Sequence, residues 1–245
     1  MIYDVRQTTA YAYASTVAYA HHVLRLTPID RTGQRVQAAA LDVVPAPVRR
    51  REGRDFFGNR LTWIELAEPH DRMIIKVAAR IQCVHRDARE SFPPGRPILA
   101  GARDLMQRIK ADFIYEIGAT TVSTLPPMSF ALRRGVCQDF VHIMISGMRG
   151  LGLPAAYVSG YLRTAQAAGE DRLEGAGAMH AWVLVGCGED VGWRGLDPTN
   201  GIFAGDDHVV LAIGRDYADV APIDGVIFAS GGQRLEVSVS VTPVE

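Results

Sequence analysis

Cys137, His180 and Asp197 are the residues whose types and settings could carry out nucleophilic chemistry. Cys137 follows Gly135-Val136 where a helical period begins. At a helix start, unpaired backbone N–H groups and the positive end of the dipole favour a thiolate over a thiol. The thiolate is the attacking species. The bland alternative is a buried structural cysteine, which would be the default in mid-helix. His180 and Asp197 lie on two short strand-like runs, 180–185 and 192–197, joined by Gly186-Cys187-Gly188-Glu189-Asp190-Val191. If Val185 pairs with Gly192, Trp182 faces Gly195 and His180 faces Asp197. Directly opposed side chains sit about 5 Å apart on one face; a slip of one residue would send them to opposite faces. An imidazole so placed would pair with the thiolate and protonate a leaving amine, while the carboxylate fixes its tautomer.

The elements that must position these groups fall into two regions. Residues 1–85 read as a small β-sandwich-like domain. Arg72 to Val84 alternates apolar and polar, Leu41 to Val44 is strand-like, and Gly58-Asn59 within Phe56 to Ile64 is a hairpin signal. Residues 86–97, with Pro93-Pro94-Gly95, read as a linker. Residues 98–245 read as the catalytic domain. It has a helix from Ala102 to about Phe113, a loop-like stretch 118–127 and a helix opening at Cys137. A strand over 157–162, a loop over 163–178, the two strands above and a last strand over 235–241 complete it.

Several neighbours have candidate roles. Asp139 suits the helix dipole, or holds an adjacent loop or a basic substrate group; Gln138 is a similar candidate. Trp182 either walls a groove or packs in the core. The backbone N–H of Cys137 is the natural first oxyanion donor, and Tyr115 is a candidate for the second within 115–128. His142 reads as a helix-packing residue, and His208 has no evident role.

Gly135-Val136-Cys137-Gln138-Asp139-Phe140, Met179-His180-Ala181-Trp182 and Gly192-Trp193-Arg194-Gly195-Leu196-Asp197-Pro198-Thr199-Asn200-Gly201, in that order, resemble the transglutaminase-like superfamily. The likeness is greatest to its bacterial two-domain branch, whose members are often called transglutaminase-like peptidases. It extends to Gly214-Arg215-Asp216-Tyr217 and the opening strands. The resemblance implies an α+β fold, a papain-like core with the cysteine helix packed on an antiparallel sheet. It also implies Cys137 as nucleophile, His180 as base and Asp197 as the orienting acid. In one place the chain departs from the pattern: Gly177-Ala178-Met179 stands where relatives carry Asp-Ala-Ser.

Composition narrows the remaining classes. A formal net charge of −1 provides no global field for nucleic acid or an anionic membrane. The basic run Arg49-Arg50-Arg51 with Arg54 reads as a solvated loop. Three cysteines without C-x-x-C spacing argue against a disulfide framework or a zinc site and suit a reducing compartment, with Cys83 on a buried strand face. No signal peptide, membrane span, metal site or cofactor motif is expected, and the location expected is cytoplasmic. The partner expected is a peptide or protein amide; the oligomeric state is not legible. Water as acceptor makes the protein a peptidase or amidase, which is favoured; a lysine-like amine makes it a transglutaminase. The alternatives are a non-catalytic peptide-binding module and a scaffold whose residues 1–85 recruit a partner on which the enzyme then acts.

Overall fold

Alternation of apolar and polar residues governs the N-terminal third. In the computed structural model, which describes residues 1–84, 97–163 and 177–244, β1 (Ile2–Val17), β2 (Tyr19–Leu24), β3 (Gln34–Val44), β4 (Arg49–Arg54), β5 (Arg60–Leu66) and β6 (His70–Cys83) follow one another. Along β6, side chains alternate between buried and exposed almost without exception. Its buried set, including Met73, Ile75 and Val77, meets Ile64 and Leu66 of β5 in one core.

The remaining strands and helices follow in order: α1 (Pro97–Asp112), β7 (Ile114–Tyr115), α2 (Pro126–Leu132), β8 (Arg134–Gly135), α3 (Cys137–Gly150), β9 (Ala155–Leu162), β10 (Met179–Gly186), β11 (Trp193–Asp197), β12 (Ile202–Phe203), β13 (His208–Gly214), α4 (Tyr217–Val220), β14 (Ile223–Phe228) and β15 (Gln233–Pro243). A five-stranded antiparallel sheet, ordered β12-β11-β10-β9-β13, forms the second region. Phe140, Met144 and Met148 recur at helical spacing on α3 and pack on Ala181, Val183 and Val185 of β10, with Met106 and Ile109 of α1 in the same core.

The division at residue 85 does not describe the end of the chain. The N-terminal strands form two four-stranded sheets, β15-β1-β6-β3 and β14-β2-β5-β4. Each therefore takes an edge strand from residues 223–243, part of the stretch expected to form the catalytic domain. Leu24 pairs with Ile223 and Tyr3 with Pro243. The strands after Pro222 pair with edges of β1 and β2 that would otherwise be unsatisfied. The expected linker 86–97 and the loop 163–178 lie mostly outside the described residues. The first of the two sheets packs on the five-stranded sheet through Tyr3, Val5, Ile81, Tyr161, Val209 and Val241.

Two local expectations also change. The hairpin around Gly58-Asn59 exists, but its first strand is β4, and Phe56 stands exposed in the turn. The Asp55 carboxylate organises that turn by accepting from the backbone N–H groups of Phe57 and Asn59. The arginine run expected in a loop instead lies on edge strand β4, with Arg49 near Glu65 and Arg50 bonded to Glu52. Charged residues on such an edge discourage pairing with other chains.

Candidate active site

Cys137 is the first residue of α3 and Val136 its N-cap. The valine side chain cannot accept a hydrogen bond, so the cap comes from elsewhere. Asp139 Oδ2 accepts from the Val136 N–H (2.9 Å) and from the Thr120 hydroxyl (2.6 Å). Asp139 is buried and fixes both the entry to the cysteine helix and the loop before it. Gly135 makes this possible, since a Cβ there would lie 2.5 Å from Asp139 Oδ2. Of the expected roles for Asp139, holding the loop is the one observed. Gln138 donates to the Val122 carbonyl (3.1 Å) and lines the cavity beside Cys137.

His180 and Asp197 meet, in a register different from the one expected. Leu184 pairs with Gly195 and Val183 with Leu196, two residues away from the expected pairing of Trp182 with Gly195. The cause is a shorter turn: the Cys187 N–H donates to the Gly192 carbonyl (2.9 Å), which extends the ladder into the expected loop. A displacement of two preserves the face. Continuing it puts Asp197 across from Trp182, so His180 is its diagonal neighbour. That distance is spanned by the side chains, and His180 Nε2 lies 2.9 Å from Asp197 Oδ2 with both residues buried.

Asp197 is held by more than His180. Oδ1 accepts from the backbone N–H groups of Thr199 (2.9 Å) and Asn200 (3.2 Å), so the carboxylate shapes the turn that follows it. Oδ2 also accepts from Asn200 Nδ2 (2.7 Å) and from His208 Nε2 (3.3 Å). Burial alone would disfavour the carboxylate. The charge of His180 and the hydrogen bonds from His180 and His208 outweigh it and hold the carboxyl well below the usual range. The opposite balance operates at His180. Burial alone would strip its proton, but the Asp197 charge, the hydrogen bond to it and the neighbouring Cys137 raise its proton affinity well above the ordinary imidazole range. Its Nδ1 has no partner at ordinary hydrogen-bond distance. Cys137, which shares its cavity, contacts the ring as a looser sulfur neighbour.

Other expected residues are placed differently. Trp182 is buried with Ile29, Val158 and Val210 and does not line the Cys137 cavity; it is a core residue whose ring packs against those of His180 (6.2 Å) and His208 (5.0 Å). Its room comes mainly from Gly160, where a Cβ would fall 2.4 Å from the indole. Gly195, which faces Trp182 in the expected register, would place a Cβ 3.6 Å from it, an ordinary contact. Tyr115 is not among the cavity residues; it packs edge-on against Phe140 at 6.4 Å. His142 packs as expected, against Tyr157, and accepts from the Tyr217 N–H (3.3 Å).

Sequence reasoning missed three residues. Tyr157 and Tyr217 line the Cys137 cavity, and burial first, then the nearby Cys137, raises the pKa of each phenol. His208 opens the apolar run Val209–Ile213. A histidine at such a position must be buried, and a buried imidazole needs partners at both nitrogens; that was the available signal. Its Nδ1 accepts from the Gly205 N–H (3.2 Å), which leaves the proton on Nε2, facing Asp197. Burial raises the thiol pKa of both other cysteines, that of Cys83 to about 12. Among the described residues, no helix is long and apolar enough to cross a membrane.

Comparison with known proteins bears on the family and the fold. Residues 3–82 match the bacterial transglutaminase-like N-terminal region, and residues 89–198 match the transglutaminase-like superfamily. The second match includes Cys137, His180 and Asp197 but ends before His208. The chain is 35% identical to the uncharacterized protein Mb2599c of Mycobacterium bovis, covering 99% of this chain and 93% of that one. It is 28% identical to the uncharacterized protein ML0607 of Mycobacterium leprae, covering 97% of each. The crystal structure of "a Putative Cysteine Protease from Cytophaga hutchinsonii" shares the fold, with a TM-score of 0.69 at 18% identity over 99% of this chain and 98% of that one. With a matching core, a matching N-terminal region and relatives spanning nearly its whole length, this chain belongs to the transglutaminase-like superfamily.

Proposed function

We propose that the protein is a thiol-dependent acyl-transfer enzyme that hydrolyses peptide or other amide bonds, with Cys137 as nucleophile, His180 as acid and base, and Asp197 as the orienting acid. One observation carries this reading. A buried imidazole is bonded through Nε2 to a buried carboxylate (2.9 Å), while its other nitrogen, without an ordinary partner, shares a cavity with a half-buried cysteine at a helix start. The raised proton affinity of His180 favours the imidazolium that a thiolate requires.

In the first half-reaction, the sulfur attacks the amide carbon and an S–C bond forms. The carbonyl oxygen takes the negative charge beside the Cys137 N–H, which belongs to the helix's first turn and has no intrahelical acceptor. Nδ1 of His180 then passes its proton to the leaving amine as the C–N bond breaks, which leaves a thioester. In the second, His180 takes a proton from water, the hydroxide oxygen attacks the thioester carbon and the C–S bond breaks. The carboxylic acid leaves, and the ion pair re-forms as its proton is retained. Through both steps Asp197 keeps its five hydrogen bonds and holds the ring in one tautomer.

The test is intact-mass analysis after incubation with a library of peptide amides. The wild type is expected to show a covalent acyl adduct and to release free acid. Cys137→Ala should show neither. An adduct that survives in Cys137→Ala, or its absence from the wild type across the whole library, refutes the proposal. Added glycine methyl ester or a lysine-like amine distinguishes transfer to an amine from transfer to water.

A further inference from the structure

The cavity beside Cys137 has a volume of about 240 Å³, and part of its wall comes from the N-terminal region. β1 runs for 16 residues, and its buried positions are odd-numbered. At one end Tyr3 and Val5 pack on the five-stranded sheet, and at the other Tyr13 and Val17 enter the sandwich core. Between them Gln7, Thr9 and Tyr11 line the Cys137 cavity. β15 extends this surface, with Val237 opposite Thr9 and Leu235 opposite Tyr11, and both side chains line the same cavity.

The chemistry of this floor is selective. Gln7 and Thr9 are already engaged: Gln7 Nε2 donates to the Thr9 hydroxyl (2.9 Å), and Gln7 Oε1 accepts from the Tyr161 hydroxyl. What it offers a ligand is apolar, because Leu235 is 51% and Val237 37% exposed beside the nucleophile. Among the described residues lining the cavity, none is Asp, Glu, Lys or Arg. Apart from the Cys137–His180 pair, whose two charges offset each other, a charged side chain seated there would find no counter-charge for the hydration it loses, whereas an apolar one would leave water for a matching surface.

We propose that the β1–β15 floor recognises the acyl part of the substrate and selects an uncharged, apolar side chain, leucine- or phenylalanine-like, next to the scissile amide. The N-terminal region is thereby a wall of the substrate site. This inference rests on the proposed amide-cleaving role of Cys137.

The test uses N-acetyl-Gly-Xaa-aminomethylcoumarin amides with Xaa as Leu, Phe, Lys or Glu. For the wild-type chain, kcat/KM for Leu and Phe is expected to exceed that for Lys and Glu by about tenfold or more. Leu235→Glu should shift the Lys-to-Leu ratio toward Lys by a similar factor, and Val237→Lys should shift the Glu-to-Leu ratio toward Glu. Both positions are exposed enough on an edge strand for the fold to tolerate a charge, and circular dichroism checks this. Cys137-dependent turnover with equal rates on all four peptides overturns the inference and leaves the proposed function standing. So does turnover in which neither folded variant moves its ratio. No Cys137-dependent turnover on any peptide removes the proposed function and this inference together.

Discussion

His208 donates its Nε2 proton to Asp197 Oδ2 across 3.3 Å, and its tautomer is set by the Gly205 N–H on the opposite nitrogen. Asp197 therefore presents to His180 an oxygen whose position is fixed from a second strand. His208→Ala removes that hold. Turnover is expected to fall about tenfold with little change in KM, the loss of roughly one charge-assisted hydrogen bond. His208→Gln, which places an amide N–H near the same point, should recover part of it. Steady-state kinetics on the three proteins decide the matter, and a purely structural role would change thermal stability without this split.

His180→Ala should cost more activity than Asp197→Ala, because the first removes the proton carrier and the second misorients it. Stability should rank the other way. Asp197→Ala leaves buried donors on His180, His208, Thr199 and Asn200 without their acceptor, and a loss of about 3–5 kcal/mol is expected. Activity assays and denaturant titration of both variants check the two rankings.

The pH dependence follows from the two shifted groups. His180 has a folded pKa raised above its unfolded value, so its contribution to stability is complete below about pH 6.5 and fades as the pH rises through the folded value. Asp197 has a lowered folded pKa. Its contribution is complete above about pH 4 and is lost as the pH falls through the folded value. The combined contribution should therefore be greatest between about pH 4 and 6.5 and decline on either side, and the alkaline limb of kcat/KM should lie well above the ordinary imidazole range. Asp197→Asn should bring that limb down. A pH–rate profile with its alkaline limb unmoved in Asp197→Asn would contradict the assigned pairing.

Gly160→Ala tests the packing under the site. The added Cβ would lie 2.1 Å from the Val209 carbonyl oxygen and 2.4 Å from the Trp182 ring. β9 and β13 would have to separate, moving His208 with them. A destabilisation of about 1–3 kcal/mol is expected, accompanied by lower activity, and a melting temperature equal to the wild type's would count against it.

The helix start at Cys137 was legible in the sequence because the period beginning there is unbroken and Gly135-Val136 stops any earlier continuation. The pairing of His180 with Asp197 was legible only in parity. Which residues oppose which depended on a hydrogen bond inside the turn, between Cys187 and Gly192, that composition does not encode. Tyr157 and Tyr217 were illegible as site residues because each reaches Cys137 through a tertiary approach with no local spacing to betray it, and for His208 the apolar run signalled burial but not its partner Asp197. The strand character of the tail was evident from its alternation, but its partner strands were not, because alternation specifies a face and not a neighbour.

The closing of both N-terminal sheets by residues 223–243 has a consequence for how the chain reaches this structure. As the polypeptide leaves the ribosome, β1 and β2 emerge long before the strands that flank them. Pairings of such large sequence separation give a high contact order and a slow search. Two open edges would meanwhile be available for improper association, and a fragment ending near residue 85 would retain them permanently.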